Sequence, residues 1–135
     1  MGLHISNDFQ NLINGLIDTR VGEKIIDSIG EGYIKFTNGL MICYGRKQRT
    51  VNISNVWSGT TALLYSCPIA TGEAFAQEFN SIPTVLLDVE SGSTCWICPA
   101  GTSSKTRHYS YQLLSAAPQY NLTVYVKYLA IGFWK

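Results

Sequence analysis

The segment Gly32–Gly45, with the sequence GYIKFTNGLMICYG, constrains the fold of this chain more than any other. Two mostly apolar runs flank an Asn-Gly pair, which is a strong short-range signal of a β-hairpin. The hairpin can close through a two-residue Asn38-Gly39 turn, or through a three-residue loop in which Gly39 is left-handed. A one-residue slip exchanges the two faces of a strand, so the register that best separates apolar from polar positions is favoured. We therefore predict the three-residue loop.

The predicted register divides the hairpin into two faces. The first face carries Ile34, Phe36, Leu40, Ile42 and Tyr44. The second face carries Tyr33, Lys35, Met41 and Cys43. This second face is still half apolar, so we expect it to be covered by a neighbouring subunit or by the N-terminal segment.

Short alternating segments separated by turns continue from the hairpin to the last residue. Strands are predicted within RTVNISNVW, TALLYSCPIA, IPTVLLDVESG, TCWICPAG, HYSYQLLSA and LTVYVKYLAIGFWK. The segment GEAFAQEF is either a further strand or a short helix. Many short strands with turn signals between them are typical of a small antiparallel β-sandwich.

One helix is predicted, over residues 8–19, where Phe9, Leu12, Ile13, Leu16 and Ile17 recur at helical spacing. A helix of this length is marginal alone in water, so it needs a partner from its own domain or from other copies. We divide the chain into a helical stem or attachment segment, residues 1–23, and a β-sandwich head, residues 24–135.

The composition limits the possible partners. Charged residues make up 14% of the chain, against roughly 25% in average globular domains, so part of the surface is expected to be hidden in an oligomer. A formal net charge of +1 gives no electrostatic sign of nucleic-acid binding. No apolar run approaches the roughly 18 residues of a membrane helix, so membrane insertion is not expected.

Cys95 and Cys98 form the one C-x-x-C pair of the chain. In a strand, two residues at this spacing point to opposite faces, and a zinc site needs about four converging ligands. We therefore expect free thiols, no metal and no cofactor.

An enzymatic function is not expected. Asp88 and Glu90 share one face of a predicted strand, which permits the spacing of a glycosidase carboxylate pair. Acidic pairs of this kind are common on exposed strands, and the chain has no nucleophile elbow, phosphate-binding loop or paired metal motif.

Three segments carry a family resemblance: GYIKFTNGLMICYG, EAFAQEFNSIPTVLLDVESG and YVKYLAIGFWK. Together they resemble the C-terminal receptor-binding tip domain of bacteriophage tail fibres, the gp53-like tip, over about residues 24–135. That domain is similar to the H-type lectin fold. The resemblance implies a six-stranded antiparallel sandwich that assembles into a homotrimer and binds a glycan or polysaccharide of the bacterial surface.

The same resemblance implies a place for the protein. It would be a virion component at the tail fibre tip, made in the cytoplasm of the bacterial host and associated with other phage tail or fibre proteins. The chain is then either an excised tip or a small protein that attaches through its own helix. The alternative is a structural virion protein, such as a fibre-assembly or capsid-decoration piece, that binds only other phage proteins.

The resemblance also suggests a site, because H-type lectins hold sugar beside the last hairpin, near a subunit boundary. Their Trp-His pair is absent here; Gln119 and Tyr120 fall in its region, and Trp96 falls near the position of an arginine. We expect Trp96, Gln119 and Tyr120 to bind glycan, since aromatic rings stack on sugars and an amide both donates and accepts hydrogen bonds. The further candidates are Arg107 and His108 as rim contacts and Trp57 as another exposed aromatic. Trp96 could instead be a core or subunit-contact aromatic.

Overall fold

The computed structural model describes residues 9–11, 25–57 and 64–135. Residues 9–11 are helical, and the rest of the helix predicted over residues 8–19 lies outside the described residues. The same is true of residues 61–63 in the predicted TALLYSCPIA strand. No helix within the described ranges is long and apolar enough to cross a membrane.

Two antiparallel sheets form the fold. The strands of the described residues are β1 (Ile26–Gly30), β2 (Tyr33–Phe36), β3 (Leu40–Ile53), β4 (Asn55–Val56), β5 (Tyr65–Ser66), β6 (Thr84–Ser91), β7 (Trp96–Pro99), β8 (Tyr111–Ser115) and β9 (Gln119–Phe133). One sheet has five strands in the order β1-β2-β3-β9-β6, and the other has four in the order β4-β5-β8-β7. The predicted mainly β, antiparallel architecture is confirmed. The described residues hold nine strands where the resemblance implied six, and the β1–β2 hairpin was not predicted.

The hairpin between β2 and β3 closes through the predicted three-residue loop. Lys35 lies opposite Met41 in the register of the two strands. Gly39 has a φ of +98°, the left-handed conformation that glycine adopts without a steric cost, and its N–H donates to the carbonyl oxygen of Phe36 at 3.0 Å. The side chains therefore divide between the two faces as predicted.

The expected roles of the two hairpin faces are reversed in the structure. Met41 and Cys43 are fully buried inside the sandwich, where they pack in one cluster with Phe75, Phe79 and Ala130. The other face, with the larger aliphatic side chains, points away from the second sheet. The prediction that the Met41 face needs cover from outside the domain was therefore wrong, because residues of the same domain already cover it.

The segment from Glu73 to Asn80 supplies this cover without being a strand or a helix. Its backbone is held by hydrogen bonds from the N–H of Phe75 to the carbonyl oxygen of Thr106 (2.8 Å) and from the N–H of Phe79 to that of Lys105 (3.0 Å). The Phe75 and Phe79 rings meet edge to face with centroids 5.1 Å apart. Neither alternative predicted for this segment is correct, because two buried aromatic anchors and inter-loop hydrogen bonds replace a regular pattern.

The main core lies between the two sheets. Its buried members are Val51, Ile53, Cys67, Ala70, Tyr111, Leu113, Val124 and Val126. Alternation along β6 and β9 is confirmed, since residues 85, 87 and 89 are half-buried while residues 86, 88 and 90 are exposed. Cys95 packs against this core, and Cys98 lies opposite Gln112, so the two thiols occupy different faces as predicted.

The sandwich has two ends, which the long strand β3 joins. Its 14 residues span about 43 Å at roughly 3.3 Å per residue. At one end the N–H of Thr37 donates to the carbonyl oxygen of Ile25 at 2.9 Å, so Ile25, which precedes β1, lies beside the loop of residues 37–39. We call this the entry end. At the other end, the far end, Ile53 lies opposite Gln119.

Candidate functional site

Four of the six predicted site residues lie at the far end. Gln119 begins β9 opposite Ile53, and Tyr120 follows it. Trp96 lies opposite Leu114, next to the end of β8. Trp57 follows β4, and its backbone N–H donates to the carbonyl oxygen of Leu64 at 2.9 Å. The strand registers thus place four residues that are far apart in the sequence at one end, with Trp57 and Trp96 at opposite edges of the four-stranded sheet.

Local hydrogen bonds hold the far-end loops. The buried Ser115 hydroxyl donates to the carbonyl oxygen of Ala117 at 2.7 Å and lies 3.3 Å from that of Thr94, which links the end of β8 to the start of β7. Asn121 adopts a left-handed φ of 49°, and its N–H donates to Oδ1 of Asn52 at 2.8 Å. These contacts fix the backbone on both sides of residues 118–120.

The two aromatic rings of the predicted site differ in their exposure. Tyr120 is 68% exposed and Trp96 is 39% exposed. Trp96 projects from the outer face of the four-stranded sheet, and its cross-strand neighbour Leu114 is only 4% exposed. Gln119 and Trp57 are half-buried. The far end therefore presents one free ring, one partly packed ring and an amide to a ligand.

The structure does not bring Arg107 and His108 to this end. Arg107 bridges to Ala74 on the side of the entry end, and its Nη1 donates to the carbonyl oxygen of Gly72 at 2.5 Å. His108 is 1% exposed and lies inside the fold, so its ring does not reach the surface in this structure. Sequence order misled the prediction, because these residues precede β8 while the Trp96 neighbourhood lies at its other end.

His108 is a buried structural side chain that is held by hydrogen bonds and by neighbouring aromatic rings. Its Nε2 accepts from the N–H of Glu73 at 2.9 Å, and its Nδ1 lies 2.9 Å from the carbonyl oxygen of Tyr109. This pattern requires the neutral imidazole with its proton on Nδ1. Burial lowers the pKa of His108, and the hydrogen bond to the Tyr109 carbonyl only partly opposes this. The tyrosine rings at positions 111 and 128 pack around it.

The acidic pair on β6 lies on the outer face of the five-stranded sheet. Nζ of Lys127 lies 2.5 Å from Oε1 of Glu90 and 3.8 Å from Oδ2 of Asp88. The hydrogen bond from Lys127 lowers the pKa of Glu90. A general acid needs a raised pKa to hold its proton near neutral pH, so this carboxyl group is tuned away from that role.

A polar groove beside the far end escaped the sequence predictions. It has a volume of about 380 Å³ and runs between the β3 edge of one sheet and the β4–β5 edge of the other. Its lining residues are Arg49, Thr50, Val51, Asn52, Ser54, Asn55, Cys67, Pro68 and Ile69. One sequence signal could have indicated this groove. Lys47 and Arg49 occupy alternate positions of β3 that otherwise carry mostly buried apolar side chains.

No protein-family model matches this chain. No curated protein matches it either. Among solved structures, it is similar to a P. aeruginosa R1 pyocin fibre fragment comprising C-terminal residues 323–701, with 14% identity and a TM-score of 0.44 over 75% of this chain and 25% of that one. It is also similar to an N-truncated R1-type pyocin tail fibre, with 15% identity and a TM-score of 0.49 over 98% of this chain and 100% of that one. The chain thus spans a quarter of the first relative's length, and both structural relatives are tail fibre fragments; at these values, neither similarity carries an argument about function.

Proposed function

We propose that this chain is the receptor-binding head of a bacteriophage tail fibre, which recognises a glycan on the host cell surface without catalysis. Its place is then the tail fibre tip of the virion, in contact with other tail or fibre proteins. One observation carries the proposal: the exposed aromatic residues of the predicted site lie at the end of the sandwich opposite the entry of the chain.

This placement suits a head carried on a stem. Ile25, which precedes β1, lies beside the loop of residues 37–39, whereas Tyr120 lies at the opposite end of β9, about 43 Å away by the length of β3. A receptor-binding head must present its ligand site away from the stem that joins it to the virion. Burial of Tyr120 against another virion protein would instead be the expected arrangement for a purely structural piece.

The far-end chemistry fits a sugar ligand. The rings of Tyr120 and Trp96 can stack on the CH face of a sugar, and the Gln119 amide can both donate to and accept from its hydroxyls. Trp57 supplies a further aromatic side chain in the neighbouring loop. Single sites of this size are expected to be weak, and several copies on one particle raise the overall strength of binding.

Assembly into a homotrimer is the second part of the proposal. Its support is the outer face of the five-stranded sheet, where five large apolar side chains are between 38% and 62% exposed. We call these residues the apolar patch: Tyr44, Leu86, Leu129, Ile131 and Phe133. Monomeric soluble proteins rarely expose contiguous apolar patches of large area, so contact with other copies is a physical reason for this one.

Substitution at the far end tests the proposal. Trp96→Ala and Tyr120→Ala should each abolish adsorption to host cells, and binding on a glycan array, while the circular dichroism spectrum and the oligomer mass stay unchanged. Ile82→Ala is the matched control, because Ile82 is 64% exposed but precedes β6 near the entry end. Normal adsorption by both folded aromatic variants would exclude Trp96 and Tyr120 as receptor contacts, and the loop around Trp57 would be examined next.

The alternative is a structural virion protein that binds only other phage proteins. The apolar patch supports it, because a different phage protein could cover this patch. The two functions differ in one result. A structural piece should bind neither host cells nor any glycan as the isolated chain, whereas a receptor-binding head should bind both.

A further inference from the structure

Within the described residues, much of β3 has no strand partner on the side where β2 ends. β2 pairs with β3 only along residues 41–43, and the last hydrogen bond on that side runs from the N–H of Tyr44 to the carbonyl oxygen of Gly32 at 3.0 Å. Among the described residues, the rest of β3 is therefore an edge strand on this side. Two of its inward-facing residues are cations, Lys47 and Arg49. Inward-pointing charges are a known protection of sheet edges against pairing with other chains.

These two cations, two residues apart on one strand face, differ in their partners. Lys47 is neutralised by Glu73, with its Nζ 3.0 Å from Oε1. Arg49 forms no ion pair with any residue that the structure describes; its Nη1 donates instead to the neutral hydroxyl of Tyr111 at 2.9 Å. Edge protection explains both charges, but it does not explain why Arg49, unlike Lys47, has no carboxylate partner among the described residues.

Tyr111 fixes the position of the Arg49 guanidinium before any ligand binds. Tyr111 is 1% exposed and belongs to the main core, so its hydroxyl holds Nη1 from a rigid base. The guanidinium carbon also lies 5.7 Å from the centroid of the Tyr111 ring. A guanidinium has five N–H donors in a planar fork that matches a carboxylate in a bidentate way, and one bond to a hydroxyl leaves that capacity available.

The rest of the groove supplies neutral polar groups and one apolar wall. Asn52 contributes backbone to the lining, since its side chain lies on the other face of β3 from Arg49 and its Oδ1 accepts from the N–H of Asn121 at 2.8 Å. Thr50, Ser54 and Asn55 add hydroxyl and amide groups to the lining. On the opposite side Ile69 is 60% exposed. The volume of about 380 Å³ falls in the range of roughly 300–1,000 Å³ that is usual for small-molecule sites.

We propose that this groove binds an acidic sugar residue, with the Arg49 guanidinium on its carboxylate. The hydroxyl and amide groups of Ser54 and Asn55 bind its ring hydroxyls, and Ile69 packs against its apolar face. This inference rests on the proposed function, and it adds a ligand class: the host glycan contains a carboxylate-bearing sugar. The groove adjoins the far end, so one polysaccharide chain can contact it together with the aromatic site.

Solution NMR of the full chain tests the inference with four probes: glucuronate, galacturonate, the neutral sugar galactose and acetate. Either uronate should shift the backbone amide signals of residues 49–55 and 69, with weak but saturable affinity. Galactose should bind at least about tenfold more weakly, because it lacks the carboxylate and a charge-assisted hydrogen bond pair contributes on that scale. Acetate should also bind at least about tenfold more weakly, because it has neither the ring hydroxyls nor the apolar ring face.

Arg49→Gln should remove uronate binding, and Arg49→Lys should weaken it, since an ammonium lacks the planar fork. Lys47→Gln is the matched control: it removes the same charge from the same strand face and should leave uronate affinity unchanged. Asn55→Asp is a second test should Arg49→Gln fold poorly. Asn55 is exposed, and a new carboxylate there should repel the uronate without disturbing the Tyr111 contact.

Each outcome decides the inference. Saturable uronate binding that requires Arg49 supports it. Absence of uronate binding, equal affinity for galactose, equal affinity for acetate, or unchanged binding by Arg49→Gln overturns it. Host-cell adsorption of the wild-type chain distinguishes failure of this inference from failure of the proposed function. Adsorption without uronate binding overturns only the acidic-sugar inference. Absence of any adsorption overturns the receptor-binding function as well.

Discussion

The two faces of the five-stranded sheet are similarly apolar in sequence and very different in the structure. On the inner face Met41, Cys43, Val124 and Ala130 are 0% exposed. On the outer face, large side chains of the same strands form the apolar patch, whose exposure reaches 62%. Hydrophobicity alone therefore does not decide which face receives the second sheet.

On the inner face, small residues make room for larger neighbours. The inner face contains small residues at close approaches: a Cβ added at Gly45 would lie 2.5 Å from Cε1 of Tyr128, so the Tyr128 ring uses the space that this glycine leaves. Ala130 lies opposite Cys43 on the same face. The outer face carries long or branched side chains that stand out from the sheet. The small residues of the inner face therefore let larger side chains of that face pack closely.

Truncation on the inner face is the largest expected effect. Met41→Ala removes a fully buried side chain from the Phe75–Phe79 cluster and should lower the free energy of unfolding by about 2–5 kcal/mol. Leu129→Ala on the outer face is the matched control; in the dissociated single chain it should cost clearly less, since Leu129 is 38% exposed there. Urea denaturation followed by tryptophan fluorescence measures both. Equal losses would contradict the distinction between the faces.

A fall in pH should lower the free energy of unfolding through His108, which is buried on the inner side of the sheet. Burial lowers the pKa of His108 in the folded state, so the unfolded chain binds the proton more readily. The stability that neutral His108 contributes is fully present above its unfolded pKa of about 6.5 and is lost as the pH falls below that value toward the folded pKa.

The charged or titratable neighbours of His108 are Glu73, Arg107, Tyr109, Tyr111 and Tyr128. The midpoint temperature of thermal unfolding of the wild-type chain should therefore be lower at pH 5 than at pH 7. The fall should be clearly smaller in His108→Gln, whose side chain can still accept from the N–H of Glu73. A parallel fall in both proteins would assign the pH dependence to other groups.

The charged part of the outer face should show the smallest effect. Glu90→Gln removes the ion pair with Lys127, but both side chains are exposed, and exposed pairs contribute little to stability. We expect a thermal midpoint within error of the wild type in calorimetry at physiological salt. A marked loss would indicate that this part of the sheet is covered in the native assembly, which would extend the apolar patch into a larger interface.

Much of the fold was predictable because strand periodicity and turn chemistry are local. The Asn38-Gly39 pair and the pattern around it were enough for the loop length and the register. Which hairpin face is inner was not predictable from the hairpin alone, because this depends on Ala130 and on the segment containing Phe75, which lie about 35–90 residues further along the chain.

The candidate site was predictable in part for the same reason. Trp96, Gln119 and Tyr120 were grouped through a family resemblance, and strand register places them at one end. Arg107 was grouped with them because it is near in sequence, although β8 carries the chain to the other end of the sandwich. The groove around Arg49 was missed because its walls belong to edges of two different sheets.

The mass of the protein in solution tests most directly the claim that the inner face is covered within one chain and the outer face by other copies. Multi-angle light scattering at micromolar concentration should give three times the chain mass for the wild type. Leu129→Asp, which places a charge in the centre of the apolar patch, should give the monomer mass with an unchanged β-type circular dichroism spectrum. A monomeric wild-type chain, or a Leu129→Asp variant that keeps the full oligomer mass, would contradict the claim.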